Sequence, residues 1–138
     1  MDKFNKMLAG AEPMVLSIFR IVTGLLLFQY GVAKILKFPV LPYFANIPPL
    51  ITTAGAIELV GGALLILGLF TRPVAFILSG EMAFAYFMGH MFKNPAEPVF
   101  IPLLNGGNAA ILFCFACLYM ACAGGGVWSV DAMMGKKK

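Results

Sequence analysis

The sequence predicts an all-α integral membrane protein, a four-helix bundle in a single domain over residues 1–138, and three observations predict it. Of 138 residues, 61% are hydrophobic and only 12% are charged, and the mean hydropathy is +0.91. A soluble domain of this length has too little interior to bury so many apolar side chains. Four apolar stretches of roughly 20 residues follow one another, and at about 1.5 Å per residue each can cross about 30 Å of hydrocarbon. These stretches also lack the charged outer face of a soluble helix: residues 61–70 carry no charge at all.

The first span is expected over 13–36. Lys3 and Lys6 precede it as they would in a signal peptide, but the apolar run is too long and has no clear small-x-small cleavage site, so it reads as a retained helix. The second span is expected over 51–70, the third over 73–92 and the fourth over 103–123. Pro13 and Pro73 are expected in the first turn of their helices, where proline is tolerated. Thr71-Arg72-Pro73 is a tight link and predicts an antiparallel hairpin. The connections over 37–49 and 93–102 are rich in proline and in aromatic or aliphatic residues, which suits an interfacial anchor or a lid over the bundle mouth. Gly124-Gly-Gly126 reads as a helix stop and Trp128 as an interfacial residue.

Four spans place both termini on one side of the membrane. That side carries Lys3, Lys6, Arg72, Lys136, Lys137 and Lys138, against Lys34, Lys37 and Lys93 on the other. The positive-inside rule therefore predicts cytoplasmic termini. The net charge of +4 rests largely on the lysine tail, which suits anionic lipid headgroups rather than nucleic acid.

The chemistry-bearing residues are the polar ones inside the spans, where a charge at the helix centre costs about 2.5 to 3.5 kcal/mol. Ser17, Arg20, Gly24, Leu27, Gly31 and Lys34 fall in one stripe of the first helix. Gly55, Glu58 and Gly62 share a face of the second, and the glycines allow a neighbour to approach closely. Glu81 lies on a face of the third with Ala85. Asn105, Asn108, Leu112, Phe115 and Tyr119 form a stripe on the fourth. These stripes are expected to meet inside the bundle. Depth and sign make Arg20 with Glu81 the first expected ion pair, and Lys34, Asn105 and Asn108 are expected to gather around Glu58. Such groups either hold the bundle together or form a small-molecule pocket or proton path.

His90 lies half a turn around from Glu81 on a straight helix, so it is expected at a headgroup or loop unless the helix kinks. A single histidine also argues against a protein-only haem or zinc site. Cys114-x-x-Cys117 points away from the asparagine stripe and reads as small hydrophobic residues rather than a redox pair. No phosphate loop, nucleotide fingerprint or nucleophile elbow is present. No internal repeat and no GxxxG pair stands out.

Several motifs in order carry a family resemblance: Arg20-x-x-x-Gly24 and Gly31-x-x-Lys34, then Glu58-x-x-Gly61-Gly62 and Gly68-x-x-Thr71-Arg72. They are followed by Met82-Ala83-x-Ala85-Tyr86, Asn105-Gly-Gly and Gly126-Val-Trp-Ser-Val-Asp131. Over most of its length the chain resembles the DoxX family of small bacterial membrane proteins. The resemblance implies a multi-pass protein of the cytoplasmic (inner) membrane. Relatives in the wider group include small subunits of thiosulfate:quinone oxidoreductase. The function expected on this footing is an accessory subunit of a membrane redox system. It would bind quinone or a small sulfur compound among Arg20, Lys34, Glu58, Glu81, Asn105 and Asn108, with no metal or nucleotide site of its own. Its partners would be the lipid bilayer and a redox-complex protein. The alternative is a non-enzymatic membrane scaffold or small-solute carrier. No residue is singled out as catalytic.

Overall fold

The computed structural model describes residues 1–135; the expected lipid-facing role of Lys136, Lys137 and Lys138 lies outside the described residues. Every regular element among the described residues is helical. α1 (Asp2–Gly31) continues into a π-helical turn, Val32–Leu36. A short 3-10 turn, Pro42–Phe44, leads to α2 (Pro49–Leu67). α3 (Thr71–Tyr86) also ends in a π turn, Phe87–Met91. α4 (Pro102–Asn105), α5 (Asn108–Ala123) and α6 (Val130–Met133) complete the chain. The stretches Asp2–Leu36, Pro49–Leu67 and Thr71–Met91 are long and apolar enough to cross a membrane, whereas α5 is a shorter apolar helix.

The helices associate as two tight pairs, α1 with α2 and α3 with α5. Small residues bring α1 and α2 together. A Cβ on Gly62 would sit 2.7 Å from the Phe28 backbone nitrogen, and one on Gly24 would sit 2.9 Å from that of Ile66. The core joins the pairs through Leu16, Leu27, Leu65, Ala75, Leu78, Met82, Cys117 and Met120. Most large apolar side chains, such as Phe76, Ile77 and Leu112, point outward. In a bilayer such residues gain little by burial against other helices, so close backbone approach decides which faces pack.

Three expectations about helix ends are corrected. Pro13 lies well inside α1 rather than in its first turn. Helix formation continues through it to Asp2, with the Ser17 hydroxyl donating to the Pro13 carbonyl at 3.1 Å. The expected fourth helix is broken after Asn105. Gly106 takes the left-handed conformation (φ +73°), and the Asn105 side-chain oxygen accepts from the Gly107 N–H at 2.8 Å, ending one helix before the next begins. The turn between α2 and α3 is also shifted from 71–73 to Gly68, Leu69 and Phe70. Gly68 closes α2 in the left-handed conformation, and Thr71 already belongs to α3.

Candidate functional site

The bundle carries two polar centres, one at each end. The Lys34 end is built by the π turn that closes α1. Gly55 of α2 lies directly beside Lys34, where an added Cβ would sit 2.7 Å from the Lys34 Cβ. The side chain can therefore run along α2 to Glu58. Its ammonium donates to both Glu58 carboxylate oxygens, at 2.8 and 3.0 Å. Glu58 is 1% exposed and the Lys34 side chain 13%. Aromatic rings cover the ammonium: Phe44 at 5.6 Å and Tyr30 at 5.9 Å. Phe44 belongs to the proline-rich connection, whose backbone is tied down by Lys37 donating to the Phe44 carbonyl at 2.7 Å. That connection thus folds back over the bundle mouth.

Glu81 of α3 completes the centre. Its carboxyl approaches Glu58 closely and lies within electrostatic range of Lys34. Both of its oxygens are shielded from solvent, and neither meets hydrogen-bond geometry with any described residue. The Lys34–Glu58 pair is electrically complete, so Glu81 is an additional buried acid with nothing donating to it. The arrangement can hold a carbonyl at the lysine's remaining N–H, and can accept a hydrogen bond or a proton at Glu81.

A smaller polar group sits on the α3–α4 side of the molecule. The Asn105 amide donates to the Tyr86 hydroxyl at 3.1 Å and to the Val99 carbonyl at 2.9 Å. His90 Nδ1 lies 3.1 Å from the Asn105 carbonyl, and its ring stacks on Tyr86 with centroids 6.4 Å apart. The π turn over Phe87–Met91 supplies the departure from straight-helix geometry that brings His90 there.

Arg20 forms the centre of the opposite end, and the expected Arg20–Glu81 ion pair is corrected. Arg20 is fully buried. Its guanidinium donates to the Leu65 carbonyl at 2.8 Å, the Trp128 carbonyl at 2.7 Å, the Ile66 carbonyl at 3.5 Å and, in a short contact, the Gly125 carbonyl. The last-turn carbonyls of α2 are left with lone pairs to spare, Leu65 sharing its carbonyl with the Gly68 N–H at 3.1 Å, and they form a ready acceptor set for a cation. Gly68 leaves room for the guanidinium, because a Cβ there would sit 2.9 Å from its central carbon. Asp131 is the carboxylate whose field Arg20 feels. Asp131 accepts from the backbone N–H groups of Phe70 and Thr71, each at 2.9 Å, and so caps α3 from a distant part of the chain.

The expected cluster of Lys34, Glu58, Asn105 and Asn108 is therefore only partly assembled. Lys34 and Glu58 meet, and Glu81 joins them. Asn105 instead bonds Tyr86, Val99 and Gly107, and Asn108 is exposed at the start of α5. The expected stripe on the fourth helix faces outward: Leu112, Phe115 and Tyr119 are exposed, while Cys117 and Met120 are fully buried. The break at Gly106 disconnects the direction of Asn105 from that of α5, so counting around a single helix fails there. The small thiols take the inward face against α3, and Ser79 donates to the Cys114 carbonyl at 2.8 Å. Sequence reasoning missed the capping role of Asp131 and the position of Phe44. The first was signalled only by Asp131 lying at the same end of the bundle as the α2–α3 turn.

A family model described as DoxX matches residues 15–91. The matched segment contains Arg20, Lys34, Glu58 and Glu81. Over 129 residues the chain is 42% identical to an uncharacterized protein of Haemophilus influenzae, covering 91% of this chain and 95% of that one. No solved structure matches the chain.

Proposed function

The chain belongs to the DoxX family, and on that footing we propose that this membrane protein is an accessory subunit of a redox system in the bacterial cytoplasmic membrane. In this reading α1, α2, α3 and the broken α4–α5 unit each cross the bilayer, with both termini cytoplasmic. The Lys34–Glu58–Glu81 centre is the site for a quinone or a small sulfur compound. Lys34 holds a carbonyl, and Glu81 takes or supplies the proton that accompanies electron transfer from the partner protein.

One observation carries this reading: the extra acid. A purely structural ion pair would end with Lys34 and Glu58. Glu81 adds a second carboxyl at a burial cost of about 2.5 to 3.5 kcal/mol on insertion scales. Its oxygens meet hydrogen-bond geometry with no described residue, and the groups nearest it in charge are a second carboxyl, Glu58, and a lysine already bonded to Glu58.

The test compares wild type, Glu81→Gln and Glu58→Gln purified with their partner proteins in mild detergent. Quinone retention is read by mass spectrometry and quinone reduction by absorbance. The reading expects Glu81→Gln to assemble normally but to lose turnover or retained ligand. Unchanged turnover and unchanged ligand in Glu81→Gln would sink it. The scaffold alternative is favoured by the Arg20 centre, whose four hydrogen bonds all go to the protein's own backbone, and it expects assembly and turnover to ignore Glu81.

A further inference from the structure

A cleft of about 570 Å³ opens at the Arg20 end, far along the bundle from Lys34, with Thr71, Arg72, Gly125, Gly126, Ser129 and Asp131 among its walls. Arg20 draws the carbonyls of Gly125 and Trp128 inward. Both following peptide bonds are trans, and in a trans peptide the N–H points opposite to the C=O. The N–H groups of Gly126 and Ser129 are thereby turned away from the buried guanidinium, on residues that line the cleft. Neither donates to another described residue.

The Thr71 side chain supplies an independent sign. Thr71 is 1% exposed, and its hydroxyl has no partner among the described residues. The Gly125 backbone packs against it, so closely that a Cβ there would sit 2.8 Å from the hydroxyl oxygen. Arg72 is exposed at the rim. Asp131 also lines the cleft, but its carboxylate is engaged by Phe70 and Thr71 N–H groups and faces the field of Arg20. Arg72 is then the charge left in excess.

We propose that this cleft binds a phosphate group, held by the Gly126 and Ser129 N–H groups, the Thr71 hydroxyl and the Arg72 guanidinium. Outward-turned backbone N–H groups form anion-binding concavities, and arginine matches the phosphate oxygens in a planar fork. The phosphate is that of an anionic lipid headgroup or a free phosphate.

Native mass spectrometry of the delipidated full-length protein tests this, titrating phosphatidylglycerol, diacylglycerol and inorganic phosphate in turn. One phosphatidylglycerol should bind and diacylglycerol should not. Arg72→Gln should weaken binding by about tenfold, as expected for losing one charge-assisted contact. Thr71→Val should weaken it less, and Thr71→Ser should restore it; circular dichroism checks that each variant is folded. Inorganic phosphate binding alone and displacing the lipid identifies free phosphate as the source, while lipid-only binding identifies a headgroup. The proposal is overturned if Arg72→Gln and Thr71→Val bind like wild type, or if diacylglycerol binds as well as phosphatidylglycerol. It is also overturned if deleting residues 136–138 abolishes binding that Arg72→Gln leaves intact.

Discussion

Lys34 faces two acids, and both of its hydrogen bonds go to Glu58. Glu81 waits within range of the same ammonium. This redundancy makes the three residues non-additive. Glu58→Gln should cost only about 1 to 2 kcal/mol, because Glu81 can take over the lysine, whereas the double variant strands a buried cation at about 3 to 5 kcal/mol. Glu81→Gln alone should be neutral or stabilising, since it removes one of two neighbouring acids. Unfolding of the four proteins in detergent measures the cycle. A Glu58→Gln cost equal to that of the double variant would show that Glu81 never pairs with Lys34. At this scale the sequence made Glu58 and Gly55 readable, because they lie on unbroken helical turns where face counting works, and Lys34 because it follows the start of the π turn by only two residues. Arg20 was readable as buried but not in its partners. Pairing by opposite sign looks for carboxylates, and the acceptors are carbonyls of Leu65, Ile66, Gly125 and Trp128.

Between elements, the controlling feature is how closely backbones approach. Gly62 is a direct test of the α1–α2 contact, because an added Cβ meets backbone, at 2.7 Å from the Phe28 nitrogen, and backbone cannot swing aside. Gly62→Ala should therefore destabilise by about 1 to 3 kcal/mol through overpacking. Gly80 is the matched control: it is helical, exposed and has nothing within 4 Å of an added Cβ. Gly80→Ala should stabilise by about 0.5 to 1 kcal/mol, the ordinary preference of a helix interior for alanine. Thermal unfolding followed by circular dichroism compares the two; a similar effect at both positions would mean that close approach is not what Gly62 provides. The first three helices were legible from hydropathy, apart from the extension of α1 past Pro13. The fourth was not, since the Asn105-Gly-Gly break is made by a side-chain cap and a left-handed glycine, neither of which alters the apolar run that the eye follows.

The molecule as a whole is two helix pairs whose joint at the Arg20 end is made by the C-terminal segment rather than by helix contacts alone. Arg20 of α1 holds the ends of α2 and of that segment, while Asp131 returns from the segment to cap α3. The Trp128 N–H also donates to Ser17 of α1 at 3.0 Å. Removing Arg20 takes a donor from the Leu65, Ile66, Gly125 and Trp128 carbonyls at once, and each buried group left unsatisfied costs about 1 to 3 kcal/mol. Arg20→Met should thus release residues 124–135 from the bundle well before the helices themselves unfold. Limited proteolysis should then cut within that segment, and Trp128 fluorescence should change below the helical melting temperature. Asp131→Ala removes a different tie, the cap on α3, and should expose the same segment to a smaller degree. If Arg20→Met stays protease-resistant while Asp131→Ala does not, the segment is held from the α3 side, and the two pairs are joined by the cap rather than by the buried guanidinium.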